Sequence, residues 1–115
     1  MADAASDSIE IGPRQAADLQ RDGVTIVDVR EDHEWEAGRI PGARHIPLGR
    51  LSEEAASLSA DQAVVFQCKS GGRSLMAAQA LRASGRQAYS LAGGLHAWQD
   101  AGLPIAPEDG VVADH

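Results

Sequence analysis

The stretch Cys68-Lys69-Ser70-Gly71-Gly72-Arg73-Ser74 gathers residue types suited to covalent chemistry. It contains the only cysteine of the 115-residue chain, two adjacent glycines and two cations. The reactive form of cysteine is the thiolate, whose free pKa of about 8.5 falls when amides and cations surround the sulfur. Two glycines let a backbone turn tightly and aim several N–H groups at one point. A helix beginning at about Ser74 adds unpaired amides and a partial positive charge. Lys69 and Arg73 add full charges. Such a loop holds negative charge on a sulfur, or on an anionic group attached to it during a covalent step.

A lone cysteine at a strand end is elsewhere often a small buried hydrophobe. The glycine pair, the two cations and the helix start favour the chemical reading here. A phosphatase is a second candidate, because a thiolate in a loop closed by arginine also serves phosphoryl transfer in the pattern C-x5-R. Cys68 and Arg73 enclose only four residues, which narrows the ring of amides around a tetrahedral phosphate and suits a single extra sulfur better. A metal site is not expected: His33, His45, His96 and His115 lack ligand spacing, and the chain has no CxxC pair.

The loop needs elements to hold it. "AVVFQC" (63–68) reads as a buried strand ending at the cysteine, and "VTIVDV" (24–29) and "QAYSL" (87–91) as further strands. "IEI" (9–11) suits an edge strand, and "RIPGARHIP" (39–47) a loop around a very short one. Helices are predicted over "RQAADLQRD" after Gly12-Pro13, over the acidic turn "REDHEWEAG", and over "LSEEAASL" (51–58) with Ser52 as N-cap. Two more are predicted from Ser74 to Ser84, with apolar rows at 75, 78, 81 and at 76, 80, 83, and over "GGLHAWQDAG". Alternating strands and helices imply a parallel sheet covered on both faces, with ligands beyond the carboxyl ends of the strands.

The length fits one domain. With aromatics at only 3% of residues, aliphatic side chains must fill the core. A net charge of −7 argues against a nucleic-acid surface and fits solubility. No membrane span or signal peptide is evident, and one cysteine cannot form an internal disulfide, so a cytoplasmic setting is expected.

Three segments together carry a family resemblance. "VDVREDHEWEAGRIPGARHIP" (27–47) is similar to a signature in which an Asp-x-Arg strand end leads to E-[YW]-x-x-G-H-I-P-G-A. "CKSGGRS" (68–74) resembles a sulfur-accepting loop, and "LAGGLHAWQDAGLPI" (91–105) a closing G-G-x-x-A-W segment. The sequence thereby resembles a single-domain rhodanese over residues 9–105, with residues 1–8 and 106–115 as tails. The resemblance implies an α/β rhodanese-like fold, a central parallel sheet flanked by helices on both faces, and no cofactor. It implies that Cys68 takes the outer sulfur of a donor such as thiosulfate, becomes a persulfide, and passes that sulfur to cyanide or a thiol. The amides of Lys69, Ser70, Gly71, Gly72, Arg73 and Ser74 would line the loop, with Arg73 closing it. The basic residues favour an anionic donor. Asp28 and Arg30 match the first signature; they either support the loop or form a strand-end cap and a surface salt bridge. Arg39 and His45 depart from the usual residues and bear on how the first loop is oriented. Trp35 and Trp98 read as packing residues. Without a second thiol, discharge falls to an outside acceptor. A protein acceptor is the alternative partner, making the domain a sulfur-relay or binding module with its acidic surface as the docking feature. Neither nucleic acid nor membrane is expected as a partner.

Overall fold

A computed structural model of the chain describes residues 8–58 and 61–112. The expected N-terminal tail lies outside the described residues except for Ser8, as do residues 113–115 of the C-terminal one. In chain order the elements are β1 (Glu10–Ile11), α1 (Pro13–Arg21), β2 (Thr25–Asp28), α2 (Asp32–Ala37) and β3 (Arg44–His45). They continue with α3 (Leu51–Glu54), β4 (Val64–Gln67), α4 (Gly72–Ala83), β5 (Ala88–Leu91) and α5 (Gly94–Asp100). The five strands form one parallel sheet in the order β1-β5-β4-β2-β3.

The two β-branched runs lie side by side at the centre, where Thr25 to Asp28 of β2 pair with Val64 to Gln67 of β4. From β2 the chain proceeds towards β3, and from β4 the opposite way, towards β5. The carboxyl ends of β2 and β4 therefore open into the crevice where parallel α/β sheets carry their sites. Cys68 stands at one lip and Arg30 at the other.

Alternation along the strands sorts two cores. Val64, Phe66, Val27 and Val29 face Leu51, Leu58, Ala77, Ala78 and Leu81 from α3, its following turn and α4. Val65, Ile26 and Leu91 face Ala16 and Ala17 of α1 and Leu95 and Trp98 of α5. Burying each large aliphatic or aromatic side chain contributes roughly 1.5–3 kcal/mol, and the scarcity of aromatics makes Trp98 and Phe66 the chief bulky fillers. Pro13 opens α1 at its first turn, after Gly12.

Several expectations change. α4 begins at Gly72, two residues ahead of the predicted Ser74, because Gly71 takes φ +114° and caps it while its carbonyl accepts from Leu75 N at 3.0 Å. The buried face of α4 is made by Ser74, Ala77, Ala78 and Leu81, so neither predicted row holds as drawn: Leu75 is only half-buried, Met76 is 59% exposed, and Ala80 and Ala83 point outward. Ser52 caps nothing: a 3-10 turn over Leu48–Arg50 runs straight into α3, so the spiral has already begun before it. The predicted helix over 51–58 is one α-turn followed by a 3-10 turn over Ala55–Ser57. The C-terminal segment is irregular, yet it is tied down as far as Val112. Ala106 exchanges hydrogen bonds with Arg39 at 2.9 and 2.7 Å, Val111 N donates to Ala37 O at 2.8 Å, and Val112 packs on the α1/α5 core. A methyl on Gly38 would sit 2.4 Å from Val111 O, so the signature glycine leaves room for this strap. No helix among the described residues is long and apolar enough to cross a membrane.

Candidate active site

Cys68 follows the last residue of β4, and the next turn folds back over its sulfur. Gly71 N donates to Cys68 Sγ at 3.1 Å and Ser74 N at 3.4 Å, with Ser74 Oγ 3.6 Å away. Gly71 is the residue whose positive φ, unfavourable to any side chain, makes this bend. Burial pushes the thiol up. The amides of Ser74, Gly71 and Ser70 and the Ser74 hydroxyl pull it down, and their pull wins, so Cys68 titrates below the ordinary thiol value. Cys68 is only 1% exposed, set in the floor of the loop. The cradle nevertheless faces it.

The loop carbonyls are drawn the other way. Leu95 N donates to Cys68 O at 2.8 Å and His96 N to Lys69 O at 3.3 Å, so the first turn of α5 holds the outer side of the loop. With carbonyls tethered outward, the amides are left facing inward. This approach needs Gly94, whose φ is +60° and whose added Cβ would lie 2.3 Å from Cys68 O. Gly94→Ala is expected to destabilise the domain by roughly 2–5 kcal/mol, from the left-handed backbone and the overpacked contact. Urea unfolding checks this; an alanine variant as stable as the parent would contradict the close-packing argument.

The cations are arranged differently from the simple expectation. Arg73, at the end of the loop, forms a two-pronged pair with Glu34, Nη1 to Oε1 at 2.7 Å and Nη2 to Oε2 at 2.9 Å. Glu34, fully buried in α2, also accepts from Glu31 N at 2.9 Å. The pairing raises the Arg73 pKa above its ordinary value, with burial opposing and the charges of Cys68 and Asp28 assisting. Arg73 thus closes the loop by bracing it against the first signature. Lys69 is half-buried, while Ser70 and Gly72 are exposed.

Asp28 and Arg30 do not form a surface salt bridge. Both side chains have zero exposure; Arg30 Nε and Nη2 reach Asp28 at 2.8–3.1 Å, and Nη2 also donates to Gly38 O at 2.7 Å. The pair latches the segment that carries Glu34. His45 Nε2–H donates to Arg30 O at 2.8 Å and the ring stacks on Trp35 with centroids 4.8 Å apart. Arg39 lies over the other partner of that stack, 5.2 Å from the Trp35 ring, and donates to Trp35 O at 3.1 Å. The two departures from the signature therefore hold the first loop together. Trp98 is core packing, 2% exposed, whereas Trp35 is half-buried in the stack.

The sequence reading missed three residues: Glu34, Gly94 and Ser90. The first two lie inside the quoted signatures, the glutamate as the first residue of E-[YW]-x-x-G and the glycine as the second of a pair, and that membership is the signal that could have found them. Ser90 sits within an ordinary strand pattern, which gives no signal.

Residues 13–101 match the family model described as the rhodanese-like domain. The chain is 34% identical to the thiosulfate sulfurtransferase GlpE of Stutzerimonas stutzeri over 95 residues, 82% of this chain and 87% of that protein. It is 39% identical to the HTH-type transcriptional regulator Rv0324 of Mycobacterium tuberculosis over 95 residues, 80% of this chain but 41% of that protein. The chain spans 41% to 59% of the length of three such curated relatives. Among solved structures, the rhodanese-related protein of Thermoplasma volcanium superposes with a TM-score of 0.78 at 28% identity, covering 84% of this chain and 96% of that one. The parallel sheet, the cysteine loop at its crevice and these likenesses agree, and the chain belongs to the rhodanese-like domain family.

Proposed function

We propose that this domain is a sulfurtransferase in which Cys68 carries the sulfur. The thiolate attacks the outer sulfur of an anionic donor such as thiosulfate. The sulfur–sulfur bond of the donor breaks, sulfite leaves with the electron pair, and a Cys68 persulfide anion remains. Cyanide or an external thiolate then attacks the terminal sulfur, leaving as thiocyanate or as a new persulfide and regenerating the Cys68 thiolate. The observation that carries this reading is the convergence of the Gly71 and Ser74 amides on Sγ, since such donors stabilise charge on sulfur without having to rearrange. Lys69 and the Ser70 amide are assigned to the rim that meets the donor, Gly72 to the free start of α4, and Arg73 to holding the loop shut. Asp28 and Arg30 hold its support. The relative named as a thiosulfate sulfurtransferase, similar over most of both chains, supports the same assignment. Intact mass after incubation with thiosulfate tests it. A gain of one sulfur is expected; no gain, with the thiol still titrating, refutes it.

The reaction rate should follow the thiolate. The deprotonated form attacks, so single-turnover persulfide formation is expected to fall as pH drops. Because the amides hold the Cys68 thiol below the ordinary value, the fall belongs on the acid side of the free thiol's pKa of about 8.5. A midpoint at or above that value contradicts the cradle.

A protein-directed sulfur-relay module is the second reading. It is favoured by the kinship with a transcriptional regulator of more than twice the matched length and by the commitment of Arg73 to Glu34, which withdraws one cation expected to recognise a small donor. Persulfide formed from a protein donor but not from thiosulfate distinguishes it.

A further inference from the structure

We propose that Ser90 is a positioning residue for Cys68, acting through the hydroxyl of Ser74; this rests on the role assigned to Cys68 above. Ser90 lies on β5 with zero exposure, and its Oγ is 2.8 Å from Ser74 Oγ. Ser74, also fully buried, has its Oγ 3.2 Å from Gly71 O and 3.6 Å from Cys68 Sγ. A buried hydroxyl in this setting is costly unless it is bonded, and β5 places this one directly behind the loop.

Counting protons fixes the direction of each bond. A serine hydroxyl has one proton to give and two lone pairs to receive, whereas the Gly71 carbonyl only accepts. In the thiol state Ser74 gives its proton to Gly71 O, so the Ser74 oxygen receives from the Cys68 S–H and from the Ser90 O–H. In the thiolate state the sulfur becomes an acceptor and the Ser74 proton swings to it. Ser90 is the donor in both states. It keeps the Ser74 proton directed at the loop instead of at β5, and by polarising that hydroxyl it strengthens the bond Ser74 makes to the anion. Ser90 touches neither donor nor acceptor; its effect is on how readily Cys68 ionises.

The thiolate absorbs in the far ultraviolet, and with a single thiol in the chain its titration is read directly against Cys68→Ser as blank. The full chain is titrated as parent, Ser90→Ala, Ser74→Ala and the double variant. Ser90→Ala is expected to raise the midpoint by roughly 0.3–1 pH unit, the value of one hydrogen bond, and Ser74→Ala by more. Since Ser90 acts only through Ser74, the double variant should match Ser74→Ala. Ser90→Thr, which keeps the hydroxyl, should hold the parental midpoint, and it carries the test if the alanine variant does not fold. An unmoved midpoint in Ser90→Ala, the same rise from Ser90→Ala with Ser74 already removed, or a shifted threonine variant overturns the proposal. No sulfur donor is present in the titration. Failed sulfur transfer with midpoints as expected overturns only the sulfurtransferase reading; sulfur transfer with unmoved midpoints overturns only this one.

Discussion

Cys68→Ser is expected to gain no mass from thiosulfate and to transfer sulfur to cyanide at least about a thousandfold more slowly than the parent, essentially the uncatalysed rate. The serine hydroxyl stays protonated at neutral pH, and its oxygen cannot form the sulfur–sulfur bond on which the reaction depends. The change is close to isosteric, and the donors that surround the thiol, Gly71 N and Ser74 N, suit an oxygen equally well. Thermal unfolding should therefore differ little between the two proteins, which separates lost chemistry from lost structure. Turnover by the serine variant above a tenth of the parental rate removes Cys68 from the mechanism.

Asp28→Ala is expected to destabilise the domain by about 3–5 kcal/mol, the usual penalty for stripping the partner from a buried charge. Against the roughly 5–15 kcal/mol that holds a domain of this size together, the loss is a large fraction of the total. Arg30 has no route to water: its side chain has zero exposure and its Nη1 already lacks a hydrogen-bond partner. Removing the carboxylate also frees Arg30 N, which donates to Asp28 Oδ1 at 3.0 Å. Replacing both residues, Asp28→Ala with Arg30→Met, should recover much of the stability, because an apolar pair has nothing left to desolvate. Urea midpoints for the single and double variants measure this. A single variant matching the parent would show that the guanidinium finds solvent after all. The loss should spread to the site, since Arg30 Nη2 holds Gly38 O and thereby the segment from which Glu34 meets Arg73.

Much of this architecture was legible in the residues. The strands over Thr25–Asp28 and Val64–Gln67 announced themselves through uninterrupted β-branched runs, and Gly71-Gly72 after Cys68 marked the turn. What stayed hidden depends on contacts between distant segments. Nothing local to Glu34 signals that Arg73, far along the chain, closes upon it. Nothing in "VDVR" separates a surface pair from a sealed one; that depends on contacts such as Gly38 O, brought onto the guanidinium from beyond α2. Ser52 looked like a helix cap because serine favours helix starts, but the preceding 3-10 turn removed the start it would have capped. The depth of Cys68 likewise follows from packing between distant segments, since it joins the cluster of Val27, Val29, Ile46, Phe66 and Ala77.

The sheet's outer strands, β1 and β3, are only two residues long. Neither border offers a run of free amides and carbonyls long enough for a foreign strand to zip onto, and each carries an exposed charge, Glu10 on one side and Arg44 on the other. A unit bounded in this way resists fibre-like adhesion between neighbours and tolerates crowding beside other folded units.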